Sequence, residues 1–101
     1  DLGLITLRRD VRGALSESLT SHELTIRFRA GGERVCLPGQ AHHRKLKHLL
    51  QEQAVLPWMR DRLPLLYAED ELVAVPGVVE ASGGFIGTGW RLDWSGAPPL
   101  H

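Results

Sequence analysis

The sequence predicts an α+β fold with a mostly antiparallel sheet and two short helices. Three observations carry that prediction. "LTIRFR" (residues 24–29) and "WRLDW" (residues 90–94) alternate apolar and polar side chains, the period of a half-buried strand. "RKLKHLLQEQ" places Leu46, Leu49, Leu50 and Gln53 on one helical stripe, with Arg44, Lys47, His48 and Gln51 opposite. The order is strands, then helices, then strands, which segregates the helices from an antiparallel sheet.

The elements follow in chain order. "LGLITL" (residues 2–7) is rich in branched side chains and reads as the first strand. "RRDVRGALSESLTS" carries Gly13 and several serines and reads as an irregular connection. In "LTIRFR", Leu24, Ile26 and Phe28 face one way and Thr25, Arg27 and Arg29 the other. Gly31-Gly32 then predicts a two-residue hairpin, because a type I′ turn needs positive φ at both central positions. That hairpin would set Arg29 directly across from Arg34. After the main helix, "LPWMRDRL" (residues 56–63) reads as a second short helix, with Pro57 at its first position. "PLLYA" and "ELVAVPG" read as strands joined by the acidic turn "EDE". "ASGGFIGTG" is a glycine-rich loop, "WRLDW" a last strand, and "SGAPPLH" a tail.

The chain has 101 residues, which suits one compact domain over residues 1–101. It starts at Asp1 rather than Met, so a fragment of a longer protein is expected. With 43% hydrophobic and 24% charged residues, the composition is that of a globular domain. No apolar run reaches the roughly 20 residues of a membrane helix, so no membrane partner is expected. Cys36 stands alone, which favours a reducing cytoplasm. Net charge is +0, yet the charges are segregated. Acidic residues gather at Glu69, Asp70 and Glu71. Basic ones gather at Arg27, Arg29 and Arg34, from His42 to His48, and at Arg60 and Arg62. Such polarity can produce a strong local field without net charge.

The stretch "PGQAHHRKLKHLLQE" poses the sharpest question. It places Arg44, Lys45 and Lys47 where the helix is expected to begin, the end that disfavours cations. Gln40, Ala41, His42 and His43 supply no strong N-cap. A phosphate group would satisfy both the free N–H groups and the side chains. Taken alone, the stripe reads slightly better as the solvated face of an amphipathic helix. The opposed hairpin arginines, a second basic site with no carboxylate in the pattern beyond Glu33, bring the phosphate reading to even terms.

Other candidates are weaker. His43 and His48 are five apart, not the four that aligns two ligands on a helix, and no Cys/His pair has zinc-finger spacing. "SGGF" (residues 82–85) lacks the Lys and Ser/Thr of a P-loop. No nucleophile elbow is present. Trp58 and Tyr67 have the chemistry to stack on bases, but their leucine neighbours place them in the core.

The run from Leu24 to Gly77, "LTIRFRAGGERVCLPGQAHHRKLKHLLQEQAVLPWMRDRLPLLYAEDELVAVPG", resembles the C-terminal domain of bacterial tRNA(Ile)-lysidine synthetase. The shared features are an Arg-bearing strand before a glycine turn, a "PxG" turn and an "LKxLxQE" helix. A "PW" segment with paired arginines, "PLL" and "LVAVPG" follow in order. The chain departs from the pattern at Gln40, where a basic residue is usual, and at His43, where Ser is common. It departs again at His48, where a second Lys is usual, and in "VLPW" for "VPPW".

The resemblance implies an α+β domain with a sandwich-like core, similar to one in the β chain of phenylalanyl-tRNA synthetase. It implies a parent enzyme that uses ATP to adenylate the wobble cytidine of an isoleucine tRNA before lysine attacks. ATP and Mg2+ would belong to an N-terminal domain, and this fragment would carry no cofactor and no catalytic residue. Its expected partners are the acceptor stem of tRNA(Ile) and the enzyme's own catalytic domain. The expected contact set is Arg27, Arg29, Arg34, His43, Arg44, Lys45 and Lys47. The alternative is an interdomain or protein–protein module with a basic face. A self-contained small enzyme is a third reading, with little to support it.

Overall fold

The computed structural model describes residues 3–96 and 98–100. Leu2, expected to open the first strand, and Ala97 and His101 of the tail lie outside the described residues. Among the described residues, eight strands and one α-helix form two antiparallel sheets, a two-stranded ribbon and a helical layer.

Strand β1 (Leu4–Asp10) pairs along its full length with β8 (Gly89–Ser95), from Leu4 opposite Ser95 to Asp10 opposite Gly89. It runs three residues beyond the expected end at Leu7. The charges beyond Leu7 are matched across the sheet. Arg8 sits opposite Arg91, but Asp93 lies 3.1 Å from Arg8 and 3.2 Å from Arg91, and Asp10 lies 3.7 Å from Arg91. Strand β2 (Leu15–Ser16) borders β8 on its other side. Gly13 makes the turn from β1 into β2 possible, because a Cβ there would run into the Trp90 carbonyl of β8. The expected irregular connection thus contains the end of β1 and the whole of β2, followed by a 3-10 turn over Glu17–Ser21 that buries Leu19.

The second sheet has the order β3 (Leu24–Arg27), β6 (Leu65–Ala68), β7 (Glu71–Ala74). Alternation along β6 splits the interior. Leu66 and Ala68 face the first sheet with Leu15, Leu19 and Phe85. Leu65 faces the helix with Leu46, Leu50 and Met59. A bulge opposite Leu66 puts both Val73 and Ala74 on the first-sheet side. The two sheets therefore pack face to face, as the sandwich expectation requires, and the helix covers the outer face of the second.

The expected Gly31-Gly32 hairpin does not form. β3 pairs with β6, and the short β4 (Arg34–Val35) pairs instead with β5 (Arg44–Lys45). Both glycines do take positive φ, +103° and +83°. The Glu33 carboxylate holds the turn by accepting from the N–H of Ala30 at 2.7 Å and of Gly31 at 3.2 Å. That closes the chain on itself and leaves β3 to pair with the buried β6, and Arg34 pairs with Lys45 rather than with Arg29.

Helix α1 is Leu46–Glu52, two residues shorter at its start than expected. Leu46, Leu49 and Leu50 are buried on the predicted stripe. The expected second helix is only a 3-10 turn, Pro57–Met59. Met59 and Leu63 are buried, but Trp58, expected in the core, is 55% exposed.

Candidate nucleic-acid interface

The basic residues separate by what they touch. Arg27 lies over the Tyr67 ring at 4.2 Å and reaches Asp70 at 3.3 Å and the Glu69 carbonyl at 3.1 Å. Arg29 is largely buried and pairs with Asp61 at 3.3 Å. Arg44 pairs with Glu52 at the far end of α1. The expectation of positive charge without a neighbouring carboxylate is therefore corrected for these three. Their partners lie 43, 32 and 8 residues away in sequence, so local pattern could not reveal them.

Arg34, Lys45 and Lys47 differ. All three are exposed, and none has a carboxylate partner among the described residues. Arg34 is directly opposite Lys45 in the β4–β5 ribbon, and Lys47 follows in the first turn of α1. Like charges in directly opposed strand positions destabilise a sheet. The repulsion set out for Arg29 and Arg34 thus exists, but between Arg34 and Lys45.

His43 lies between the two ribbon strands, just before β5, and lines an open cleft with Arg34, Cys36, Asp70, Glu71 and Ser82. The cleft draws on separated segments, and no motif announces it.

The helix start differs in form from the expectation. Arg44 and Lys45 are strand, Lys45 caps α1 without a side-chain hydrogen bond, and the Leu46 N–H already donates to the Glu33 carbonyl at 2.9 Å. The Leu46 N–H is therefore already partnered, and the positive groups that this face presents are the Arg34, Lys45 and Lys47 side chains. Beneath Arg27, burial first and then the Glu33 charge push the Tyr67 hydroxyl above its ordinary pKa, while Arg27 opposes the shift.

The Ser82–Phe85 loop does not fit a nucleotide phosphate. Gly83 N–H is committed to the Cys36 carbonyl at 2.9 Å, and Ser82 Oγ accepts from Cys36 N–H at 2.9 Å. The Glu71 carboxylate stands beside Gly83. Among the described residues, no three His, Cys, Asp or Glu side chains group as metal ligands. No helix among them is long and apolar enough to cross a membrane.

The arrangement defines a small two-sheet α+β domain that presents a cationic ribbon. A family model described as the TilS substrate C-terminal domain matches residues 24–94, and the chain belongs to that family. The match extends past the run ending at Gly77 to include most of β8.

The relatives are full enzymes by name. The tRNA(Ile)-lysidine synthase of Xanthomonas campestris pv. campestris (strain 8004) is 42% identical over 81 residues, 77% of this chain and 19% of that protein. That of Coxiella burnetii (strain RSA 493 / Nine Mile phase I) is 35% identical over 95 residues, 94% of this chain and 21% of that protein. That of Serratia proteamaculans (strain 568) is 40% identical over 78 residues, 74% of this chain and 18% of that protein. The chain spans about one fifth of the length of these relatives.

Proposed function

We propose that this chain is the tRNA-holding domain of a cytoplasmic tRNA(Ile)-lysidine ligase and that the β4–β5 ribbon with the first turn of α1 is its RNA contact. The opposition of Arg34 and Lys45 without a carboxylate carries this reading. The fold gives Arg27, Arg29 and Arg44 carboxylate partners but leaves Arg34 and Lys45 opposed, and an RNA phosphate would relieve their repulsion. The core contact set is Arg34, Lys45 and Lys47, with His43 beside them. Arg27, Arg29 and Arg44 of the expected set have internal partners and act first on the fold.

An acceptor stem is A-form RNA, whose phosphates and 2′-hydroxyls are reachable and whose deep major groove is not. The three side chains suit that task because they supply positive charge and N–H donors to phosphate oxygens. The ligase step, with its ATP and Mg2+, is assigned to the part of the parent protein outside this chain. This domain contributes affinity and position.

The test is Arg34→Ala, Lys45→Ala and Lys47→Ala together in the full-length protein, with tRNA affinity measured against salt. We expect weaker binding and a log–log salt slope reduced by about 0.7 to 0.9 for each lost phosphate contact. Unchanged affinity and slope would overturn the reading.

A further inference from the structure

The two packed sheets leave one side of the sandwich open. β1 is a free edge of the first sheet and β3 a free edge of the second. Between them runs an apolar slot. Ile5 and Leu7 of β1 and Leu92 of β8 line one side, and Leu24, Ile26 and Leu66 line the other. Leu4 and Phe28, adjoining the slot in sequence, are 66% and 54% exposed, and Ile26 is 42% exposed. Free edges beside exposed apolar side chains invite a further strand, and natural folds cover such edges.

Three observations identify the occupant. None of the residues lining the slot is charged, so a phosphate backbone would find no counter-ion there. The matching family is a C-terminal domain, and the relatives are about five times longer than this chain, so most of such a protein lies outside it. β1 forms one lip of the slot and is the first strand, so polypeptide preceding the domain reaches it at that lip. The slot also lies away from the basic ribbon. β4 packs on β7, while β3 is on the opposite side of β6.

We propose that the slot between β1 and β3 seats an extended apolar segment of the same polypeptide from outside these 101 residues, fixing this domain against the rest of the protein while the ribbon stays open. Backbone pairing to a free edge would give the affinity, and Ile26 and Leu7 would receive alternate side chains of the incoming strand. The proposal rests on the family and the slot, not on RNA binding.

A photoreactive benzophenone side chain placed at Ile26 of the full-length protein tests it. We expect cross-links to one segment of the same chain outside this domain, independent of protein concentration and of added tRNA. Cross-links between chains that rise with concentration would mean that a second copy fills the slot. Such cross-links, cross-links to RNA, or none at all would overturn the proposal.

Ile26→Glu should then speed hydrogen exchange in that segment and in β1 and β3 by about tenfold or more, the scale of burying one isoleucine. Exchange in α1, across the second sheet, should keep its wild-type rate. The milder Ile26→Ser should show the same pattern at smaller amplitude. Faster exchange in β1 and β3 with an unaltered partner segment would also overturn it.

Discussion

Arg34 lies directly across the β4–β5 ribbon from Lys45, and neither meets a carboxylate among the described residues. Residues 27, 29 and 44 are also arginines close by in sequence, yet each of them has an acidic partner. The contrast separates cations that hold the domain together from cations available to a ligand.

The ribbon should therefore trade stability against binding. Lys45→Glu creates an opposed ion pair with Arg34 and is expected to stabilise the domain by about 0.2 to 1 kcal/mol. The same change should weaken tRNA binding by the full-length protein and lower its salt slope. Thermal unfolding and salt-dependent binding on one variant check both halves. A variant that loses stability and keeps its affinity would contradict the assignment.

Arg29 should behave in the opposite way. Its side chain is 16% exposed, and its Nε is buried without a hydrogen-bond partner. Its stem is therefore part of the packing, while the pair with exposed Asp61 adds little. Arg29→Ala is expected to cost about 1 to 3 kcal/mol, mainly through lost packing. Arg29→Met keeps the volume and removes the unsatisfied Nε, so its stability should stay within about 1 kcal/mol of wild type. Neither variant should change the tRNA salt slope while folded.

These assignments show where the sequence was legible. In β3 the apolar side is exposed at Ile26, and Phe28 lies exposed beyond the strand's end. The leucine stripe of α1 and the alternation in β8 were readable because each is a local period that burial enforces. The pairing of β3 was not, because Gly31-Gly32 carries a hairpin signal that the buried β6 ladder overrides. The start of the helix was misread by two residues. The leucine period reads Arg44 to Gln53 as helical, whereas Arg44 and Lys45 are drawn into strand pairing with β4. Asp61 and Asp70 neutralise arginines from distant segments, which no sequence window could show.

The end of α1 offers an independent test of backbone strain. Val55 N–H donates to the Leu50 carbonyl at 3.0 Å and Ala54 N–H to the Gln51 carbonyl at 3.1 Å, the two bonds of a Schellman cap. Ala54 occupies the left-handed position, with φ of 54°, where glycine is the usual residue. Ala54→Gly should raise the unfolding free energy by about 1 kcal/mol, because the relief of left-handed strain exceeds the added chain entropy. Denaturant titration with an unchanged slope reports it cleanly.

Asp10 supplies a pH-dependent prediction. Its carboxylate accepts the Arg12 N–H at 2.9 Å, and this bond, more than the nearby charges of Arg12, Arg91 and Arg8, holds its pKa below the ordinary 3.8 against the cost of desolvation. A folded pKa below the unfolded one means stability that is present above the unfolded value and lost as pH falls through the folded value. Asp10→Asn keeps an oxygen for the Arg12 N–H but removes the charge. Wild type should therefore melt above Asp10→Asn at neutral pH, and the gap should close as the medium is acidified below the ordinary value of 3.8. Asp10→Ala also loses the turn acceptor and should stay less stable than Asp10→Asn at every pH. A gap between wild type and Asp10→Asn that does not change with pH would show that the charge contributes nothing to the β1–β8 edge.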